Sequence, residues 1–584
     1  MAAILLLSVV VYSSSLDGEI LNFDDNQYFD EYPEITDLSW ENTKLYFGKH
    51  YVLMYHPLPI LSFAVQYQLS GLDGTPYHWV NLLFHLLNVL LVYVLGKQIL
   101  KRPEAALIAT LIFAVHPMNT EAVSWISARS SVMYSFFFLA SLITYLQFIR
   151  AESKKPVWFV VSLVLFALSL FSKVNAAPLP FVLLLFDWFE RRKFRSAVIL
   201  EKLPFLALAI GFGLFALQNA GTTDNLNLGS SQFSFFEGIL LSTYSLGFYL
   251  IQFFVPMHLS AIHVYPAEGL GPLFYASPLL LAGLSWVVWR LRRERIVLLG
   301  MGFFLIIIAI TLQVIPSRLF MMADRYCYLP YVGFALIIAH LVVNKPLRQL
   351  HNKGYLQPLV LVWCLILAVA THQRNKVWTN TFDLVTDIID KNSDHEYLAR
   401  AYAIRAQHYQ RLGRANEAIE EYSKALEMDA EDVTTYYNRG KLRFDTRQYK
   451  AAEKDFKRAL ELGGPDHIAA HQSHNFLGGI AFNQNQLQLA LKHYENAIHC
   501  DSTFAEAYRN RGAIFGQQQA FDKALLEYNN AIAMDEQHPD GYKFRGIVYL
   551  KLNMRNEACE DLLAAKLKGA KGVDDLIAKN NCNE

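Results

Sequence analysis

Apolar runs of roughly 14 to 25 residues recur from Ala2 to about Thr371 and then stop, leaving a charged, amphipathic stretch from Asn375 to Glu584. The long runs predict membrane helices near 2–15, 77–100, 104–115, 123–149, 157–171, 174–187, 197–218, 273–289, 296–315, 328–343 and 356–371, with 234–255 ambiguous. Short loops rich in Lys and Arg stay on the cytoplasmic side, and 97–102, 150–155, 190–195, 290–295 and 344–353 are of that kind. Two basic loops on one side need an even number of crossings between them, yet three apolar segments lie between 195 and 290. Segment 234–255, with its Ser, Thr, Tyr and Glu237, is therefore expected to be re-entrant or interfacial. That gives eleven spans, an inner N-terminus, and outer-face positions for 16–76, 116–122, 172–174, 219–272, 316–327 and everything after Thr371.

From Leu398 onward a different period takes over. A small residue recurs at Ala406, Gly440, Gly478, Gly512 and Gly546, at intervals of 34, 38, 34 and 34, with GGPDHIAAHQ (463–472) holding the insertion. Ala418, Ala452, Ala490, Ala524 and Ala558 keep the same intervals, each followed four residues on by Tyr422, Phe456, Tyr494, Tyr528 or Leu562. This is the helix-turn-helix signature of tetratricopeptide repeats, five of which stack into a concave surface suited to an extended peptide. Asn438, Arg439, Asn510 and Arg511 share one phase of the repeat and are candidates to grip a backbone or to cap turns. The organisation expected is all-α: a polytopic membrane bundle over 1–375, a connecting helix or linker over 376–397, an α-solenoid over 398–572 and a tail over 573–584.

Composition fits this division, at 53% hydrophobic and 18% charged over 584 residues. A formal net charge of zero and the absence of a basic stripe interleaved with aromatics argue against a nucleic-acid partner. Five scattered cysteines without CxxC spacing indicate neither a disulfide framework nor a zinc site, and read as small buried residues. The opening AAILLLSVVVYSSSL lacks a basic start and a small-x-small cleavage site, so a first membrane helix is expected rather than a signal peptide. No Walker loop, GxSxG elbow, HExxH or Rossmann glycine pattern occurs in a plausible context.

Several polar residues stand where a membrane bundle does not need them. Asp24 and Asp25 lie in the first outer loop, where adjacent carboxylates can take a proton from a hydroxyl, share a divalent metal, or solvate the loop. His78, Asn81, His85 and Asn88 fall on one face of a helix, lining an interior or bonding between helices. The loop 116–129 carries His116, Glu121 and Arg129; Lys173 sits in an outer hairpin; Asp324 and Arg325 open another outer helix mouth. Cations gathered on one face, namely Lys173, Arg129, Arg318 and Arg325, can hold a lipid-linked phosphate, or instead snorkel or pair with acids.

The stretches FDDNQYFDEYPEI, YHPLPILSFAVQYQLSGLDGTPYHWVNLLFHLLN, FAVHPMNTEAVSWIS, FSKVNAAPLPFVLLLFDWF, VPMHLSAIHVYP and MADRYCYLPYVG span most of residues 20 to 335. In this order they resemble the polytopic GT-C glycosyltransferases that carry C-terminal tetratricopeptide repeats, bacterial relatives of the animal transmembrane-and-tetratricopeptide-repeat O-mannosyltransferases. The resemblance implies inverting transfer of a sugar, often mannose, from a polyprenyl phosphate to a hydroxyl on the outer face of the membrane. It maps the base to Asp24 or Asp25, with a divalent metal there as a further option, and the phosphate to Lys173, Arg318, Arg325 and Arg129. His56, His78, His85, His116, Glu121, Asp324 and Tyr328 would shape the acceptor site, and the repeats would present an acceptor protein. Localisation in a bacterial inner membrane, with the repeats in the periplasm, follows. Two departures stand out: the chain reads Ala128, Arg129, Ser130, Ser131 where relatives tend to end in Asp, and Val174 where they show Pro or Glu. The alternative function is a membrane-anchored repeat scaffold without activity.

Overall fold

The computed structural model describes every residue except 53, 153–155, 221–232, 267–268, 313, 315–319, 344–355, 393–397 and 583–584, and only the backbone of 217–220. Among the described residues the chain is helical, without a strand beyond isolated bridges at Tyr51–Met54 and His263–Met322. It divides into two units, Met1–His395 and Glu396–Glu584.

In the first unit, the helices Gly74–Leu100, Ile126–Arg150, Ser196–Ala216, Pro272–Arg290 and Leu356–Trp378 are long and apolar enough to cross a bilayer. A sixth candidate is Pro103–Val115 with Pro117–Ser124, bent by 56°. The bend follows from sequence: His116 precedes Pro117 and is pushed to an extended backbone, which ends the first helix. Length and composition thus support five or six spans, and the remaining segments of the expected eleven form shorter apolar helices such as Pro156–Ser172 and Tyr331–Val343. The segment expected to be re-entrant or interfacial is one continuous helix, Phe235–Phe254, started by a capping box between Ser234 and Glu237. No hairpin interrupts it.

Helices without a hydrophobic drive to associate in lipid rely on close backbone approach and buried hydrogen bonds. Gly300 and Gly333 supply the first: a Cβ on Gly300 would lie 2.4 Å from the Gly333 carbonyl oxygen, so Arg295–Ile308 and Tyr331–Val343 cross only because both positions lack a side chain. The second comes from Asn81 and Asn88, whose amides donate to the Trp125 and Val132 carbonyls at 2.8 and 2.9 Å.

The start of the unit is laced to its end. Asn375 Nδ2 donates to the Val11 carbonyl (2.9 Å), the Glu19 amide to Thr379 O (3.0 Å) and the Asn22 amide to Thr381 Oγ1 (2.9 Å). The acidic loop therefore hangs from both the first and the last helices of the unit.

The second unit is five helix pairs, Ala399–Arg411 with Ala415–Met428 through Pro539–Lys551 with Arg555–Leu567, closed by Asp574–Lys579. The periodic small residues are contact points: a Cβ on Gly478 would meet the Tyr494 ring at 2.5 Å, and one on Gly440 the Phe456 ring at 3.0 Å. Residues 573–584, expected to be a tail, instead pack Val573 and Ile577 against Leu562 and Ala565.

Two expectations need correcting here. Arg439 and Arg511 do not reach outward; each is bound within its own repeat by an acid sixteen residues on, Asp455 at 2.7 Å and Glu527 at 2.8 Å. Arg405 with Glu421 and Arg545 with Asp561 repeat the pairing at 2.6 and 2.7 Å. A tyrosine three residues before each arginine lies over its guanidinium at 5.4 to 5.6 Å. Asn510 bonds to Asn475 of the neighbouring repeat at 2.8 Å. The cysteines also divide differently: Cys327 and Cys364 are buried and Cys500 is half-buried, but Cys559 and Cys582 form a disulfide that staples the closing helix to the last repeat.

Candidate functional site

The acidic loop is held by its second aspartate. Asp25 is wholly buried and accepts from the Ser127 amide (2.8 Å), from the Ser127 hydroxyl, and from the Leu21 amide (3.3 Å). Burial outweighs these bonds and raises its carboxyl to about 7. Phe23 packs on Trp125, with ring centres 6.1 Å apart, so the loop is docked onto 116–128 by both charge and ring. Asp24 is only half-buried, and its carboxylate acts electrostatically on Arg325 and on Tyr28. The two neighbours therefore differ in role: Asp25 fixes the loop, and Asp24 is the one near solvent and a cation.

Arg325 is bound by Glu121, which accepts from its guanidinium and from its backbone amide (2.6 Å). Its guanidinium also lies 5.1 Å from the Trp125 ring centre. The adjacent Asp324 turns away to His263 at 3.1 Å. Lys173 Nζ donates to Ser131 Oγ at 2.8 Å, and its charge is felt by His56. His56 bonds through Nε2 to the Tyr28 hydroxyl (3.2 Å), while its buried Nδ1 has no protein partner. Burial, then Lys173, hold this imidazole down to about 3, so it is neutral. The buried Trp125 Nε1, Thr120 Oγ1 and Ser130 Oγ also lack partners. Buried polar atoms are rarely left unpaired, so these three, all within 120–130, keep capacity for a further polar partner.

Other residues singled out from the sequence lie elsewhere. Arg129 is fully buried, with donors spent on Asn81 (2.9 Å), Ser62 (3.0 Å) and the Tyr77 carbonyl (3.0 Å), and with Phe63 under its guanidinium. Three of its five N–H groups are bonded within the bundle and the side chain is wholly enclosed, so it is not presented to a phosphate. His85 and Tyr328 bond to each other at 2.8 Å inside the bundle, and His85 also pairs with the Ala114 carbonyl. His116 spends one nitrogen on the Phe253 carbonyl and the other on the Met118 amide, so it caps the bend. His78 lies beneath Gly18, where a Cβ would come within 2.9 Å of its Nε2. Arg318 lies outside the described residues.

A divalent metal does not suit the aspartate pair: Asp25 already accepts three hydrogen bonds, and no group of three or more His, Cys, Asp or Glu able to hold an ion occurs among the described residues. The sequence reading missed a cavity of about 480 Å³ lined by Phe248, His258, His263, Tyr265, Met322 and Lys391. Scattered over 150 residues, that lining has no sequence signature.

Residues 56–218 match the family described as dolichyl-phosphate-mannose-protein mannosyltransferase, and 407–446, 433–462 and 478–519 match tetratricopeptide repeats. Similarity extends further along the chain. It is 24% identical over 559 residues to the protein O-mannosyl-transferase Tmtc3 of Drosophila melanogaster, covering 79% of this chain and 59% of that one. The chain is similar to proteins named protein O-mannosyl-transferases. The human TMTC3 is 23% identical, with 79% and 55% covered, and the Caenorhabditis elegans F38B6.6 protein is 24% identical, with 78% and 61% covered. The chain thus spans a little over half the length of these relatives. Among solved structures, the tetratricopeptide repeat protein YrrB is similar at 26% identity, with a TM-score of 0.27, covering 33% of this chain and 97% of that one.

Proposed function

We propose that the chain is a membrane glycosyltransferase, moving a sugar, mannose or a close analogue, from a polyprenyl-phosphate donor to a hydroxyl of an acceptor protein. The observation that carries this is the division of labour in the acidic loop: Asp25 clamped to Ser127, and Asp24 left half-buried within reach of the charge of Arg325. Inverting transfer needs a base on one side of the sugar carbon and a stabilised phosphate on the other. Asp24 is the base, taking the proton as the acceptor hydroxyl oxygen bonds to C1 and the C1–O bond to the phosphate breaks. Lys173 and Arg325 carry the charge of the departing phosphate; Glu121 and His56 orient the groups around it.

This reading places the acidic loop and the repeats together on the outer face of a bacterial inner membrane, where the repeats hold the acceptor chain. The Cys559–Cys582 disulfide supports it, since such bonds persist in oxidising compartments. The test is transfer from lipid-linked sugar by purified protein. Asp24→Asn should abolish transfer while leaving thermal stability intact; full activity in that variant would remove Asp24 as the base, and no transfer by the unaltered chain would leave the scaffold function standing instead.

A further inference from the structure

Four of the five repeats build the tyrosine, arginine and acid device described above, as in Tyr508, Arg511 and Glu527. In the third repeat, counted through the four-residue insertion, all three members change at once, to His474, Leu477 and His493. Leu477 removes the cation, and a carboxylate at 493 would then be half-buried without its partner, a costly arrangement that the imidazole avoids. What remains is two imidazoles whose Nδ1 atoms stand 3.3 Å apart, with ring centres 5.6 Å apart and planes at 35°.

That separation has a chemical meaning. Two nitrogens bound to one tetrahedral metal ion at 2.0–2.1 Å are about 3.3 Å apart. We propose that His474 and His493 bind a divalent late transition metal ion, such as zinc, through their Nδ1 atoms, with water completing the coordination. Imidazole is a favoured ligand of these ions.

The surroundings suit the neutral ligand form. His474 is held down to about 4 by burial and by His493, and His493 is lowered by burial and by the neighbouring Lys457 and Lys492, against Glu453. Both rings are thus kept from the imidazolium form, and with their single proton on Nε2 both Nδ1 lone pairs are available to a metal. Lys457 is itself paired with Glu453 at 2.7 Å, which mutes its repulsion of a cation.

The experiment is a zinc titration by calorimetry on the full chain, purified in detergent and stripped with a chelator. The comparison is a variant that rebuilds the device of the neighbouring repeats: His474→Tyr with Leu477→Arg and His493→Glu. The unaltered chain should take up one more zinc equivalent than the rebuilt variant, and cobalt should give it a tetrahedral visible absorption that the variant lacks. His493→Ala alone should also remove that equivalent. Equal zinc stoichiometry in the unaltered and rebuilt chains overturns the proposal, and circular dichroism establishes that the rebuilt chain is folded.

Discussion

Lys173 Nζ donates to Ser131 Oγ at 2.8 Å, joining a loop to the first turn of the helix Arg129–Arg150, 42 residues earlier in the chain. The hydroxyl is a neutral acceptor, so the ammonium keeps charge that a phosphate can use. Ser131→Asp should trap Lys173 in an ion pair and raise the KM for the lipid-phosphate donor about tenfold, equivalent to roughly 1.4 kcal/mol. An unchanged KM would remove Lys173 from the donor site.

Asp25 gives the first unit a pH dependence of known sign. Its carboxyl is raised from 3.8 to about 7 in the folded chain, so the stability it contributes is fully present below pH 3.8 and is lost as pH rises toward 7. The shift caps the loss at roughly 4 kcal/mol. Asp25→Asn should flatten that part of the profile, and thermal unfolding of the two proteins between pH 5 and 8 checks it. Parallel profiles would mean that Asp25 is ionised without penalty.

Reduction should loosen the end of the solenoid. Closing the 23-residue interval between Cys559 and Cys582 is worth about 3 kcal/mol on the chain-entropy account. Cys559→Ser with Cys582→Ser should increase hydrogen exchange in 555–582 and leave the first repeats unchanged. Counting thiols in denaturant without reductant should give three, those of Cys327, Cys364 and Cys500.

Two glycines of the repeats should respond with opposite signs to the same change. Gly478→Ala drives a Cβ to 2.5 Å from Tyr494 and should destabilise the unit by about 1–3 kcal/mol. Gly516, also helical, has open space around it, and Gly516→Ala should stabilise by roughly 0.5–1 kcal/mol. Chemical denaturation of each variant distinguishes them.

The repeats were legible because their code is local and periodic: a small residue must face an aromatic one turn-helix later, and Gly478 with Tyr494 shows why. The same period held the arginine and acid pairs, since Arg405, Arg439, Arg511 and Arg545 each have an acid sixteen positions on. Reading the glycine phase alone hid them. Asp24 and Asp25 are chemically identical in sequence, and only the fold, by bringing Ser127 onto one of them, assigns their roles. Arg129 was misplaced because composition cannot tell a cation at a helix mouth from one roofed by Phe63 and Tyr77. Cys559 and Cys582 carry no motif, and their pairing depends on a closing helix that the repeat period does not reach.

The ties from Val11, Glu19 and Asn22 to residues 375–381 also set an order of events in time. Asn22 finds Thr381 only after 359 further residues have been made, which at typical translation rates takes roughly 20 to 70 s. Through that interval the first helix is already in place while the loop carrying Asp24 waits for its last supports. The proposed catalytic loop thus gains its last supports only once the end of the membrane unit has been made.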